Sequence, residues 1–269
     1  MTLPAGLRCI GIDLAWSSAR GHPSGVAALA PGARGLEVRE LGCAVTDDEI
    51  LAFVERHRGA CSVIMVDAPL RVPNASGRRR CENLVHARFG AREGGAHASN
   101  RALFERLYGG IRGERLAGRL AELGVREGPL DAAGHGHHVY ECYPHAAMLE
   151  LFALPRTLKY KKKRQPWDEA RAAFREVLAP LAALREPALV LEPALFATLD
   201  PGASVGRAYK AREDRADALL CAYLGALAVL GRMEMLGSVE EGHIVVPRAR
   251  VTFPPCSGPP PPTPSTFTA

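Results

Sequence analysis

Short apolar runs separated by polar turns open the chain and predict three β-strands in succession. Residues 7–14 form the first run, and residues 25–30 and 36–45 form two more after turns that contain Pro and Gly. Strands that follow one another so closely usually pair with their neighbours. The pattern therefore predicts an antiparallel meander at the start of the fold.

The apolar positions then change from strand spacing to helical spacing. Thr46 is a good N-cap with Glu49 at the capping-box position, and apolar residues follow on one helix face until Gly59. Residues 61–66 are almost wholly apolar, which is typical of a strand covered on both faces. This order predicts an α/β fold with a mixed sheet, in which the meander is joined by parallel strands flanked by helices.

Residues 71–130 interrupt this order with Gly- and Arg-rich loops and short amphipathic helices. We interpret the segment as a helical, Arg-rich insertion after the fourth strand. The elements predicted beyond it are a fifth strand at 138–143, an amphipathic helix at 167–184 that covers this strand, a helix at about 211–230 and a short strand at 243–247.

Pro-rich sequence begins at residue 254 and continues to residue 269. A segment of Pro, Ser and Thr has little apolar surface to bury, so we expect 254–269 to be disordered. The preceding residues 1–253 suit a single domain with one substantial core.

Composition favours an ordinary globular protein of the cytoplasm. The formal net charge is +5, and residues 71–130 hold twelve Arg and no Lys against six Glu, so this segment carries the excess. The seven Cys form no CxxC pair, as expected for reduced thiols, and we see no signal-peptide pattern. The longest apolar run, 216–230, contains Asp217 and is shorter than the ~20 residues that span a bilayer, so we expect no membrane association.

Acidic side chains stand at the ends of four separated apolar elements. Asp13 ends the first strand, Asp67 the fourth and Glu141 the fifth, while Asp214 and Asp217 share a face at the start of the last long helix. Burying such carboxylates is costly unless a cation compensates them. Converging carboxylates suit two Mg²⁺ or Mn²⁺ ions held ~3.5–4 Å apart for phosphoryl transfer. We therefore predict metal ligands at Asp13, Asp67, Asp214 and Asp217, with Glu141 completing the catalytic set.

Each acid also has a structural alternative. Asp13 would accept hydrogen bonds from backbone amides, Asp67 would cap the turn that follows it, and Glu141 would pair with an Arg of the insertion. Acids in the first turn of the last helix would favour its macrodipole. Asp217 is the hardest to explain in this way, because it immediately precedes apolar residues that face the core.

Basic residues on two segments predict an electropositive groove for nucleic acid. The run 159–164 contains Lys159, Lys161 and Lys162, and phosphate contacts by such residues give sequence-independent affinity. A solvated loop is the alternative for this run alone. The other wall is predicted at three adjacent residues of the insertion, with two possible stacking residues that otherwise belong to the core: Arg78, Arg79 and Arg80, then Phe104 and Tyr108.

Histidines and glycines offer weaker signals. Residues 135–138 include three His, but without a second ligand pair at a finger-like spacing they favour a flexible loop over a zinc site. His145 is either a proton shuttle facing the acids or a structural residue. Because the chain contains no Walker loop, dinucleotide fingerprint or nucleophile elbow, we expect no nucleotide cofactor.

The motifs in their order along the chain resemble one known family. They are Gly11-Ile12-Asp13-Leu14-Ala15-Trp16, Val66-Asp67-Ala68-Pro69-Leu70, Arg80-Cys81-Glu82, Tyr140-Glu141-Cys142-Tyr143-Pro144, Glu213-Asp214-x-x-Asp217-Ala218 and Gly242-His243-Ile244-Val245-Val246-Pro247. The combination is similar to the family called domain of unknown function 429, described as predicted nucleases with an RNase H-like fold. The resemblance covers about residues 7–248.

This resemblance implies an RNase H-like sheet and a carboxylate site. The implied acids lie on the first strand, at the fourth strand and on the last helix, which correspond to Asp13, Asp67 and either Asp214 or Asp217. The function expected is divalent-metal-dependent hydrolysis of RNA or DNA. The alternatives are a nucleic-acid-binding module that has lost catalysis and an ATP-binding phosphotransferase related to actin and sugar kinases.

Overall fold

The protein is described by a computed structural model over residues 3–17, 21–129 and 136–248. The Pro-rich tail at 254–269 and His135 therefore lie outside the described residues. The strands are β1 (Leu7–Asp13), β2 (Ser24–Gly32), β3 (Gly35–Ala44), β4 (Cys61–Val66), β5 (Val125–Glu127), β6 (Gly136–Glu141), β7 (Leu189–Val190), β8 (Met233–Ser238) and β9 (Gly242–Pro247). The helices are α1 (Asp47–His57), α2 (Arg80–Phe89), α3 (Arg101–Tyr108), α4 (Arg112–Glu122), α5 (Pro144–Leu151), α6 (Trp167–Ala182), α7 (Pro193–Leu199) and α8 (Gly206–Val229).

Seven strands form one mixed sheet in the order β5-β6-β4-β1-β2-β3-β7. The strands β1, β2 and β3 make the antiparallel meander, and β4 continues from β1 in parallel, followed by β6 and β5. This confirms the α/β fold class, with its meander, parallel strands and flanking helices. A separate hairpin is formed by β8 and β9.

Helices cover both faces of the sheet, and each face has its own apolar core. Successive residues of β1 therefore point alternately into the two cores. Cys9 belongs to the core beneath α8 and α6, which includes Phe174 and Leu220. Ile10 and Ile12 belong to the core beneath α1 and α4. The continuous apolar sequence of the central strands is thus explained by burial on both faces.

The segment 71–130 is helical, as expected, but it is more closely integrated than an appended insertion. Its helix α2 packs on the β8–β9 hairpin, and its last element, β5, pairs in parallel with β6 at the edge of the main sheet. His137 and His138 lie in β6, so the expectation of a flexible loop is wrong for these two residues. The helix α6 packs mainly on α8 and β7 rather than on the fifth predicted strand.

Two glycines allow α8 to lie against the sheet backbone. A methyl group added to Gly11 would lie 2.0 Å from the carbonyl oxygen of Ala218, and one added to Gly25 would lie 1.9 Å from that of Asp214. Real carbon atoms do not approach so closely, so only glycine fits at these positions. Despite its length of 24 residues, α8 is not a candidate membrane span, and neither is any other helix within the described ranges.

We expect Gly25→Ala to destabilise the protein, because the added methyl group must push α8 away from β2. Overpacking of this kind costs about 1–3 kcal/mol of unfolding free energy. Denaturant unfolding followed by circular dichroism measures the loss. The matched control is Gly42→Ala on the neighbouring strand, where the nearest atom lies at an ordinary 3.9 Å. Equal stability of the two variants would contradict the close approach.

Candidate functional site

The first two predicted acids meet where β1 and β4 end. Ile12 and Val66 are partners in the parallel ladder, and the amide of Asp67 donates to the carbonyl oxygen of Ile12 over 2.8 Å. Asp13 and Asp67 therefore leave neighbouring strand ends at the same edge of the sheet. Both carboxylates line one cavity of about 720 Å³.

The helix α8 brings the other two predicted acids to this edge. Gly25, which α8 touches at Asp214, is the ladder partner of Asp13 on β2. Asp214 and Asp217 lie one helical turn apart, and both are buried. The acids of β1, β4 and α8 therefore form one group, which we call the acid cluster: Asp13, Asp67, Asp214 and Asp217.

Two lysines pair with the acids of α8. The ammonium of Lys161 lies 2.8 Å from Oδ2 of Asp217, whose Oδ1 accepts a 2.6 Å hydrogen bond from the Tyr160 hydroxyl. Lys210 pairs with Asp214 one turn along the helix. The sequence placed Lys161 in a substrate-binding wall, whereas its ammonium lies within the acid cluster. Lys210 was missed, although its i, i+4 spacing from Asp214 was a usable signal.

The members of the acid cluster differ in how far nearby cations and hydrogen-bond donors offset the effect of burial on their pKa values. Burial raises the pKa of Asp13, and it raises that of Asp67 strongly, with the nearby charge of Asp13 adding to the effect. Burial alone would also raise the pKa of Asp217, but the Lys161 ammonium and the Tyr160 hydroxyl outweigh it and lower that pKa. Asp217 is consequently the stably ionised member, and Asp13 and Asp67 lack full compensation.

A divalent ion is one way to supply that compensation, and the free oxygens define where it would fit. Oδ2 of Asp13 is buried without a hydrogen-bond partner, and the Asp67 carboxylate makes no ion pair or hydrogen bond with the part of the chain that is described. Within those same residues no three His, Cys, Asp or Glu side chains are arranged to hold a metal together. Two carboxylates completed by water or phosphate oxygens are, however, an ordinary Mg²⁺ environment.

Glu141 lies beside this edge but has a different partner. Its carboxylate accepts bonds from the guanidinium of Arg79 at 2.6 and 2.8 Å and from the amide of Leu70 at 3.0 Å. This is the ion pair with the insertion that the sequence allowed as an alternative. Arg79 also bonds Glu82 and is buried, so the expectation that it lines a surface groove is wrong.

The remaining basic residues are distributed unevenly around the cavity. Arg78 is exposed, Arg80 is exposed and faces Glu241, and Lys159 pairs with Glu93. The ammonium of Lys162 lies 5.1 Å from the centre of the Trp167 ring and does not line the cavity. Lys163, which belongs to the predicted basic run 159–164, does line it.

Aromatic side chains form one wall of the cavity. The ring of His145 stacks between those of Tyr143 and Tyr160, with centroid distances of 5.6 Å on both sides. Burial lowers the pKa of His145 to about 3, so this ring is uncharged at neutral pH. Phe104 is core, in agreement with the structural alternative, and packs beside Trp16 and the half-buried Tyr108.

Arg112 is a positioning residue that the sequence did not reveal. Its buried guanidinium donates to the carbonyl oxygens of Ala15 and Val45 and to the Asp47 carboxylate over 2.7–3.0 Å. It thereby fixes the turn that follows Asp13 to the start of α1. Only the spatial neighbours distinguish this Arg from the others in its segment.

We expect the stability of the metal-free protein to fall as the pH rises from about 6.5 to 8. Burial raises the pKa of Glu213 to about 7 and that of Asp214 to about 8, so the native state binds more protons than the unfolded state in this window. The free energy of unfolding then decreases with pH. His145 and His243, whose pKa values burial lowers to about 3 and 4, act in the opposite direction only below about pH 6.5.

Urea unfolding at a series of pH values measures this slope. Asp214→Asn removes one of the two responsible carboxyls and should flatten the curve, whereas Asp168→Asn, on an exposed side chain of α6, should not. A stability that rises between pH 6.5 and 8 would contradict the raised pKa values of these acids.

Comparison with known proteins agrees with the resemblance seen in the motifs. Residues 11–241 match the model of a family described as "Protein of unknown function (DUF429)". No curated protein and no solved structure matches the chain significantly. The matched range contains all four members of the acid cluster together with Lys161 and Lys210. The chain belongs to the DUF429 family.

Proposed function

We propose that the protein is a nuclease that hydrolyses phosphodiester bonds of nucleic acid and depends on Mg²⁺ or Mn²⁺. The observation that carries this proposal is the placement of Asp13 and Asp67 side by side in the lining of one cavity, where Oδ2 of Asp13 is buried without a hydrogen-bond partner among the described residues. The position of acids on β1, β4 and α8 of a mixed sheet supports an RNase H-like site. Backbone phosphates are the natural partner of the basic side chains.

The acids at this sheet edge have different roles under this proposal. Asp13 and Asp67 hold the divalent ion, which supplies a Lewis acid against the scissile phosphate. Asp217 stays ionised because Lys161 and Tyr160 hold it, and Asp214 is paired with Lys210. Glu141 fixes the backbone at Leu70, close behind Asp67, through its bond to that amide.

The binding module without catalysis is the second candidate, and one observation favours it. Lysines already pair with two of the four acids, so the cluster can persist without any divalent ion. In that case the cavity, with three lysines in its lining, would bind nucleic acid and release it unchanged.

One experiment separates the two candidates. The purified chain is incubated with labelled single-stranded and duplex DNA and RNA in the presence of Mg²⁺ or Mn²⁺. We expect cleavage with Mg²⁺ or Mn²⁺ and none after chelation by EDTA. Binding without cleavage under all these conditions would overturn the nuclease in favour of the binding module. Neither binding nor cleavage would exclude both.

A further inference from the structure

Asp13 and Asp67 line a pocket that is partly open to solvent. Its volume of about 720 Å³ is that of a small-molecule site, in the range of roughly 300–1,000 Å³. A slightly larger cavity of about 790 Å³, near Phe152 and Leu227, is lined by no member of the acid cluster. One or two unpaired nucleotides fit a cavity of this size, whereas a duplex can only lie across its opening.

Aromatic rings line this pocket together with Asp13 and Asp67. Tyr143 is only half buried and lies nearly parallel to His145, at an angle of 12°. Its hydroxyl donates to the carbonyl oxygen of Gly95, another residue of the pocket lining. Trp16, which follows Asp13 by three residues, supplies a second half-buried ring. Flat rings held in this way are the surfaces on which unpaired bases stack.

One exposed cationic side chain lines the same pocket, and a second lies near a residue of its lining. Arg78 and Lys163 are exposed and make no ion pair with any of the described residues. Both lie close enough to His97, a residue that lines the pocket, to help lower its pKa after burial, the larger cause. Phosphates that flank a nucleotide inside the pocket would therefore meet positive charge at its rim.

We propose that this pocket receives an unpaired nucleotide, so that the substrate is single-stranded nucleic acid or an unpaired end. The proposal rests on the proposed nuclease function and adds the strand state of its substrate. The base stacks on Tyr143, the flanking phosphates contact Lys163 and Arg78, and the scissile phosphate reaches Asp13 and Asp67. A base that is paired and stacked in a duplex has no free face for Tyr143, so an intact duplex must fray before a nucleotide can enter.

Fluorescence anisotropy in EDTA tests the proposal on the full chain without cleavage. The probes are a labelled single strand of about 12 nucleotides, its blunt duplex and the duplex with a single-stranded overhang. We expect the single strand and the overhang to bind about tenfold or more tightly than the blunt duplex. Base stacking contributes about 1–3 kcal/mol, so Tyr143→Ala should weaken binding of the single strand by about tenfold, and Tyr143→Phe should not.

A pair of surface variants keeps the test valid if Tyr143→Ala does not fold. Lys163→Glu reverses a charge at the rim, and Lys162→Glu reverses the adjacent charge, which points at the Trp167 ring instead. We expect several-fold weaker binding of the single strand for Lys163→Glu and a much smaller change for Lys162→Glu. Equal effects of the two variants would overturn the placement of the strand.

Cleavage with Mn²⁺ distinguishes this inference from the function on which it rests. Blunt duplex that is bound and cut as well as the single strand would overturn the pocket inference and leave the nuclease standing. A chain that neither binds nor cuts any of the probes would remove both. Preferred binding and cutting of the single strand and overhang would support both.

Discussion

Asp13→Asn should abolish metal-dependent cleavage without unfolding the protein. The amide removes the charge of one of the two carboxylates that would hold the ion, and a bound metal contributes several kcal/mol to stabilisation of the transition state. We therefore expect the cleavage rate to fall by about 10³-fold or more. Asn has nearly the same shape, and neutralising Asp13 relieves the repulsion that raises the pKa values of Asp67 and Asp214.

Thermal unfolding with and without Mn²⁺ gives a second readout that does not depend on catalysis. Ion binding to the native state should raise the melting temperature of the wild type, and Asp13→Asn should lose that increase. Asp168→Asn, on an exposed residue of α6, is the control and should retain it. Unchanged cleavage and an unchanged Mn²⁺ effect in Asp13→Asn would remove Asp13 from the metal site.

Lys161→Met should destabilise the metal-free protein by about 3 kcal/mol. Asp217 is completely buried, and removal of its cation leaves a buried charge whose only remaining polar partner among the described residues is the Tyr160 hydroxyl. The value lies at the lower end for buried pairs because the Lys161 side chain is 27 % exposed, which admits some solvent screening. Urea unfolding in EDTA measures the loss.

A divalent ion should restore much of that stability, because Asp217 then becomes available as a ligand beside Asp13 and Asp67. Titration calorimetry with Mn²⁺ should accordingly detect tighter or additional binding in Lys161→Met than in the wild type. Lys163→Met, two residues along the same segment, removes an exposed charge with no ion pair among the residues described and should change neither quantity. If Lys161→Met is as stable as Lys163→Met, the ion pair with Asp217 does not hold the cluster together.

The sequence predicted the parts of this molecule that depend on local pattern. The apolar runs of β1 and β4 and the capping box of Thr46 and Glu49 are all where they were expected. The acids Asp13, Asp67 and Asp217 stand out because charge at the end or start of an apolar element has few local explanations. Their convergence follows from the parallel pairing of β1 with β4 and from the packing of α8 on the same sheet edge.

What the sequence did not predict depends on contacts between distant segments. The basic partners Lys161 and Arg79 leave no local pattern, since each alone reads as a surface charge. The sequence allowed Glu141 to pair with an Arg of the insertion but did not show which one. The helix α2 was not assigned separately within the segment 71–130, although Cys81, Val85 and Phe89 recur at helical spacing on its buried face. The strand β7, with two residues, is too short to leave a periodic signal.

The contact of α8 with Gly11 and Gly25 makes the spacing of the acids independent of side-chain size. Backbone meets backbone at both glycines, so the separation between Asp13 and the acids of α8 is not transmitted through apolar side chains that vary in volume. Substitutions elsewhere in the two cores can therefore be absorbed by repacking without moving the carboxylates. The positions of the carboxylates therefore depend on these two backbone contacts rather than on the packing of the surrounding core. A single methyl group at either glycine would separate α8 from the sheet and move the acids apart.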